Sequence, residues 1–186
     1  MKWYRSASVY VSLKWIGDPV DGISYTIPAF TMVTDENKSV VYTLVGYVPT
    51  VASQEFSVAN LVLPASGKTI NAKAIQGIAV KYDINGDTII TPNHLDQDNR
   101  IYFNVSNIAE NGIFITNTGT SNYESWIRKD NLLIEDYGNT FYKFGVTADG
   151  ATCYLEFPDD AEEIMKDGIE ITYIRSDGEN GNLMAS

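Results

Sequence analysis

The chain has 186 residues, 44% apolar and 12% aromatic, with 24 acidic against 13 basic side chains and a net charge of −11. That is enough apolar material for one ordinary domain or two small ones, which argues against global disorder. The acidity argues against a nucleic-acid groove or docking on an anionic membrane, both of which need a basic surface. Cys153 is the single cysteine, so an intrachain disulfide and a cysteine-based zinc site are excluded. The opening MKWYRSASVYVSLKWIG lacks the apolar run of a signal peptide. Nowhere is there the roughly 20-residue apolar stretch that a membrane helix requires.

Period-two alternation dominates the chain. In Val9 to Trp15 the odd positions Val9, Val11, Leu13 and Trp15 are apolar while Ser12 and Lys14 alternate with them, the pattern of a strand with one face on a core. Strands are next expected at Val40–Tyr47 and Phe56–Leu63. Ile78, Val80, Tyr82 and Ile84 repeat the alternation and lead into Asn85-Gly86 and a second run, Thr88 to Thr91. Asn-Gly between two apolar runs predicts a two-residue hairpin, because both turn positions require positive φ. Further strands are predicted at Arg100–Ser106, Gly112–Thr116, Phe141–Thr147, Thr152–Phe157 and Ile169–Ser176. Asn111-Gly112 and Asp149-Gly150 are read as a second and third hairpin turn. Helical signal is confined to Asp159–Asp167, where acidic residues suit a helix start, and a short turn at Tyr123–Lys129. The expected fold is mostly β: two small antiparallel, sandwich-like β domains with one or two helical turns. The polar stretch Thr91–Asn99 places their boundary near Asp98, giving domains 1–98 and 99–186.

Candidate chemistry is thin. Asp83-Ile84-Asn85-Gly86-Asp87 has the spacing that opens a calcium loop, but Thr88 stands where the loop needs Gly and His94 where it needs a bidentate Glu. Gly67-Lys68-Thr69 resembles the end of a phosphate loop, yet the Gly required five positions earlier is Val62. His94 is the only histidine. Cys153, inside an alternating strand, reads as a small buried hydrophobe. Asp159, Asp160, Glu162 and Glu163 read as a solvated helix start rather than the two separated carboxylates of a glycosidase. Tyr123, Trp126, Tyr137, Phe141 and Tyr142, interleaved with Arg128 and Lys129, suit either core packing or a binding surface. Of these, Tyr123, Trp126, Arg128 and Tyr137 are the candidate interface residues. No catalytic residue, metal ligand or cofactor is expected.

Two segments carry a resemblance. The first runs Ile27-Pro28-Ala29-Phe30-Thr31, then Thr34 to Lys38, then Val40 to Thr43. The second runs Tyr154 to Phe157, an acidic spacer, Asp167-Gly168, Ile169 to Tyr173, and the corner Gly178-Glu179-Asn180-Gly181-Asn182. In order and spacing these resemble the baseplate J-like family, baseplate wedge proteins of contractile-tailed bacteriophages. The chain departs from the family pattern at Phe30, where the family has Gly, and at Phe157-Pro158-Asp159-Asp160, which lacks the usual glycines. Physically the motifs are folding signals: Gly178 and Gly181 loosen a tight corner, and Asn182 can bond its own backbone there.

The resemblance implies a virion structural protein of the tail baseplate, made in the host cytoplasm, and a piece of a longer wedge protein. It implies no enzymatic activity. Its partners would be other wedge proteins and copies of itself, with no nucleic acid, membrane or small-molecule substrate. The alternative reading is a carbohydrate-binding or adhesin β-module, motivated by the twelve tyrosines and the Tyr123–Tyr142 cluster.

Overall fold

The computed structural model describes residues 8–14, 23–34, 40–47, 58–63, 69–105, 107–120, 126–133 and 138–176. The chain is mostly β, with several antiparallel sheets and, among the described residues, one 3-10 turn and one short α-helix. It divides into two compact units. Among the described residues the first takes those between 8 and 79 together with 109–111 and 174–176. The second takes Val80–Ile108 and Gly112–Tyr173. The units are therefore not the contiguous halves expected from a break near Asp98. The polar stretch around Asp98 is a tight turn inside the second unit, where the Asp96 carboxylate accepts the Asp98 and Arg100 N–H groups.

The first unit holds β1 (Ser8–Lys14), β2 (Tyr25–Ile27), β3 (Met32–Thr34), β4 (Val41–Tyr47), β5 (Leu61–Leu63) and β6 (Thr69–Gln76). Its main sheet has the order β1-β6-β4-β3, antiparallel throughout, and β2 pairs with β5. The alternation read in β1 is realised: Val9, Val11 and Leu13 pack on a core of Val40, Tyr42, Leu44, Leu61, Ala72 and Ala74, while Tyr10 is 72% exposed. β4 carries five buried residues in succession, as a central strand covered on both faces does. β6, the strand between β1 and β4, was not anticipated from sequence.

Ile27-Pro28-Ala29-Phe30-Thr31 is not strand throughout. After β2 it makes a β-turn, with the Thr31 N–H and Oγ1 both donating to the Pro28 carbonyl at 3.3 and 2.7 Å. Phe30 sits at the third turn position with φ 66°, a left-handed conformation that normally calls for Gly.

The second unit holds the end of β7 (Ile78–Lys81) from Val80 on, a 3-10 turn (Pro92–His94), β8 (Arg100–Phe103), β9 (Ile108–Asn117) apart from 109–111, β10 (Ile127–Arg128), β11 (Phe141–Val146), β12 (Cys153–Glu156), α1 (Ala161–Ile164) and β13 (Ile169–Arg175) as far as Tyr173. One sheet runs β10-β11-β12-β8 and another β7-β13-β9. Inward residues of the first (Ile101, Phe103, Phe144, Leu155) and of the second (Ile113, Ile115, Ile169, Ile171) share one core, so this unit is built as a small sandwich.

The turn predictions divide. Asn85 and Gly86, at φ 55° and 95°, close a two-residue turn in which Ile84 and Asp87 exchange both N–H···O bonds at 3.0 Å. The flanking hairpin is reduced to that single bridge. β7 stops at Lys81, and the run after Asp87 contributes one further bridge, Ile90 with Ile169, because Tyr82 and Ile90 give their N–H groups to β13 instead. Asp149-Gly150 does join β11 to β12, with Gly150 at φ 70°. Asn111-Gly112 is no turn: both residues lie inside the ten-residue β9. Tyr123–Lys129 gives no helix among its described residues, since Ile127–Arg128 form β10, parallel to β11.

Candidate functional site

Each residue singled out from the sequence has a definite place where it is described. Trp126 is 1% exposed, packs edge-to-face on Phe157 at 5.4 Å, and donates its indole N–H to Asn117 Oδ1 at 2.8 Å. It is core rather than interface. Tyr142 is core too, its hydroxyl donating to the Ile113 carbonyl at 3.3 Å. Arg128 is half-buried with its guanidinium 5.4 Å from the Phe144 ring centre, and Lys129 Nζ lies 4.1 Å from that of Phe141. The sequence cluster is thus largely spent on packing. Tyr123, Tyr137, Gly178, Gly181 and Asn182 lie outside the described residues, as do Gly67 and Lys68.

The carboxylate cluster lies at the start of one helical turn: Glu162 and Glu163 are exposed in α1, and Asp160, at the N-cap, makes no side-chain cap bond but accepts the Gly138 N–H through Oδ2 at 2.5 Å. Cys153 is buried, and burial pushes its thiol pKa up, away from the thiolate that nucleophilic chemistry uses. In the calcium-like stretch Asp83 Oδ1 instead accepts the Gly86 N–H at 3.2 Å, supporting the Asn-Gly turn.

What the second unit does present is a cleft of about 520 Å³, bounded by the Asp83–Asn85 stretch, the His94–Asp96 turn and the edge of β8 that faces away from β12. Its floor is an aromatic trio, Tyr82, Phe103 and Tyr173. Tyr82 packs edge-to-face on Phe103 at 5.0 Å, and Phe103 on Tyr173 at 5.2 Å. Burial first, then the neighbouring Asp83 and Tyr173, pushes the Tyr82 phenol up to about 12, so it stays a neutral donor, and it gives its proton to the Tyr102 carbonyl at 2.8 Å.

His94 closes the 3-10 turn. Its Nδ1 accepts the Thr91 N–H at 3.0 Å, one half of a capping box whose other half is the Thr91 side chain on the His94 backbone N–H, histidine taking the place usually held by Glu or Gln; the same backbone N–H also donates to the Thr91 carbonyl at 3.0 Å. The lone histidine therefore has a local structural task.

On the outer face of β8 and β12, Arg100 is held by Glu156 through Nε and Nη2 at 2.8 and 2.7 Å and lies 4.7 Å from the Tyr154 ring centre. The bond to Glu156 raises the Arg100 pKa still further. Lys143 reaches the same carboxylate at 3.5 Å. The Tyr154 ring crosses the bare backbone of its neighbour Gly145, where a Cβ would come within 2.4 Å of it.

Asp96 organises the mouth of the cleft. It accepts from Asp98 N–H at 2.8 Å, Arg100 N–H at 2.9 Å and the Tyr102 hydroxyl at 2.8 Å. Its partial burial alone would raise its pKa. The Arg100 N–H, the Tyr102 hydroxyl and the Asp98 N–H outweigh that, with the Arg100 charge adding to them, so the carboxyl titrates below its ordinary value. A folded-state pKa below the unfolded one contributes stability that is present above about pH 4 and is lost as pH falls further. Asp96→Asn should therefore be less stable than wild type at neutral pH, with the gap narrowing as pH falls toward 3 in urea melts. A gap that stays constant across that range would refute this role.

Asp83 entered the sequence reading only as the first position of a calcium-loop spacing, and none of Asp96, Tyr102 or Asn104 stood out as a site. The one hint was turn chemistry around Asp96. Comparison of the chain with protein-family models, with curated proteins and with solved structures finds no match.

Proposed function

We propose that the chain is a non-catalytic structural module that works by joining a larger protein assembly, a baseplate wedge component of a contractile phage tail being the assembly that the sequence resemblance implies. The observation that carries this reading is β1. Among the described residues it is an outermost strand of its sheet, and its apolar positions are spent on the core while Tyr10 stands 72% exposed on the other face. An edge strand offers backbone donors and acceptors to a neighbouring chain, and an exposed tyrosine beside it supplies contact area at low entropic cost.

Local geometry supports the resemblance itself. The position where the family carries Gly is held here by Phe30 at φ 66°. The Asp167-Gly168 element is a turn with Gly168 at φ 83°, lying between the helical spacer and β13.

Location tests the proposal. Antibodies against the chain should label one end of contractile tails in particles purified from its source. A Tyr10→Lys form that melts like wild type should be incorporated about tenfold less, the loss of a modest hot spot. Unlabelled particles, together with turnover of a polysaccharide by the free protein, would overturn it.

A further inference from the structure

The cleft beside β8 has a ligand chemistry of its own, independent of any assembly role. In the β8–β12 ladder the Phe157 N–H donates to the Asn99 carbonyl at 3.0 Å. In the register of this ladder Arg100 faces Glu156 and Tyr102 faces Tyr154, so that bond makes Ile101 and Phe103 the residues bonded to β12. The peptide groups of Arg100 and Tyr102 therefore point outward, toward the cleft.

Most of that edge is already used. Asp96 takes the Arg100 N–H through its carboxylate and gives its own N–H to the Arg100 carbonyl at 3.0 Å. The Tyr82 hydroxyl takes the Tyr102 carbonyl. A peptide adding as a strand needs a continuous row of such groups, and here the row is blocked. The cations are committed as well: Lys81 bonds Glu170 and Arg100 bonds Glu156, which leaves an anionic ligand without a free partner in the cleft. The floor is the buried trio with half-buried Ile84 and Leu95, an apolar area too small and too closely rimmed by polar groups for a lipid chain.

What remains is a set of neutral or singly charged hydrogen-bonding groups that make no bond to another described residue. These are the Tyr102 N–H, the side-chain amides of Asn85 and Asn104, and the second carboxylate oxygen of Asp83, whose first is on Gly86. Mixed donors and acceptors around a small aromatic floor match a group that both donates and accepts at every hydroxyl. The volume, about 520 Å³, lies within the usual range for small-molecule pockets. We propose that this cleft binds a neutral saccharide, with Asp83, Asn85 and Asn104 reading its hydroxyls and the Tyr102 N–H donating to one sugar oxygen.

The test is an amide-resolved NMR titration of the full chain with glucose, galactose, N-acetylglucosamine, rhamnose, maltose and lactose at millimolar concentrations, with acetate, inorganic phosphate and an extended tetrapeptide as controls. At least one sugar should give saturable shifts confined to residues 83–85 and 102–104. Asn104→Ala, exposed and expected to melt like wild type, and Asp83→Asn, which keeps an acceptor for the Gly86 N–H, should each weaken that binding about tenfold, the loss of one hydrogen bond. Four outcomes would overturn the proposal: no sugar shifting these amides, shifts elsewhere only, undiminished binding in both variants, or equal saturation by acetate, phosphate or the peptide.

Discussion

Gly77→Ala should unfold the first unit or leave it about 3 kcal/mol less stable, the largest single effect expected in that unit. Gly77 follows β6 directly with φ 128°, outside the regions open to residues with a Cβ, and such strain costs on the order of 1–3 kcal/mol. Space adds to strain: a Cβ there would sit 2.3 Å from the Arg175 carbonyl oxygen and 2.7 Å from Ile174 Cγ2. The first of these is backbone, so no rotamer change relieves it. Nor can Gly77 move aside, since its N–H donates to the Val41 carbonyl at 2.8 Å and its carbonyl accepts the Oγ1 of fully buried Thr43 at 2.9 Å. A loss of that size lowers the melting temperature of a small domain by roughly 15 °C. The control is Gly86→Ala, where φ is also positive but a Cβ meets nothing within 4 Å; only the conformational penalty of about 1 kcal/mol applies. Equal melting of the two variants in a circular-dichroism scan would show that the approach of Gly77 to Arg175 does not constrain the fold.

The strands that alternation made visible are those whose inward positions are large. β1, β11, β12 and β13 bury Val, Ile, Leu, Tyr or Phe on one face, and the period of two shows in the letters. β6 is the instructive loss. Its core face is Ala72 and Ala74, both fully buried, and alanine carries almost no strand signal even at the centre of a sheet. Gly67-Lys68-Thr69 drew attention as a failed phosphate loop, while Thr69 begins this strand. Asn111-Gly112 failed for the opposite reason. The pair is a strong local turn signal, yet Gly112 is buried within β9, where sheet pairing overrides local preference. The Asn85-Gly86 turn was legible because nothing tertiary competes at its exposed tip.

The cleft was illegible for a physical reason. Its walls come from Asp83–Asn85, His94–Asp96 and Tyr102–Asn104, with Tyr173 arriving from far along the chain. Only the sheet order, with β8 and β7 each at a sheet edge, puts them around one space. Each of these residues alone reads as turn or surface. The aromatic cluster posed the converse difficulty, because a tryptophan next to an arginine is equally good as an interface anchor and as a core residue that needs one acceptor for its N–H.

That ambiguity has a decisive test in Trp126→Ala, which should destabilise the second unit by about 3–5 kcal/mol, the range for truncating a buried large aromatic. Three losses add. The indole leaves a cavity at a position now 1% exposed, Phe157 loses its edge-to-face neighbour at 5.4 Å, and Asn117 Oδ1 loses the donor that holds it at 2.8 Å. Trp126→Phe should recover most of the packing and leave a deficit of about 1–2 kcal/mol, the cost of one buried acceptor left unpaired plus a smaller ring. Arg128→Ala, two residues on, removes a half-exposed guanidinium over Phe144 and should cost under about 1 kcal/mol. An interface anchor behaves in the reverse way: truncation leaves the isolated chain as stable as before and shows only when a partner is added. Urea melts of the three variants, followed by far-ultraviolet circular dichroism, therefore separate the two roles. A Trp126→Ala chain as stable as wild type would place the indole on a binding surface after all, and the order Ala, Phe, wild type in rising stability fixes it in the core.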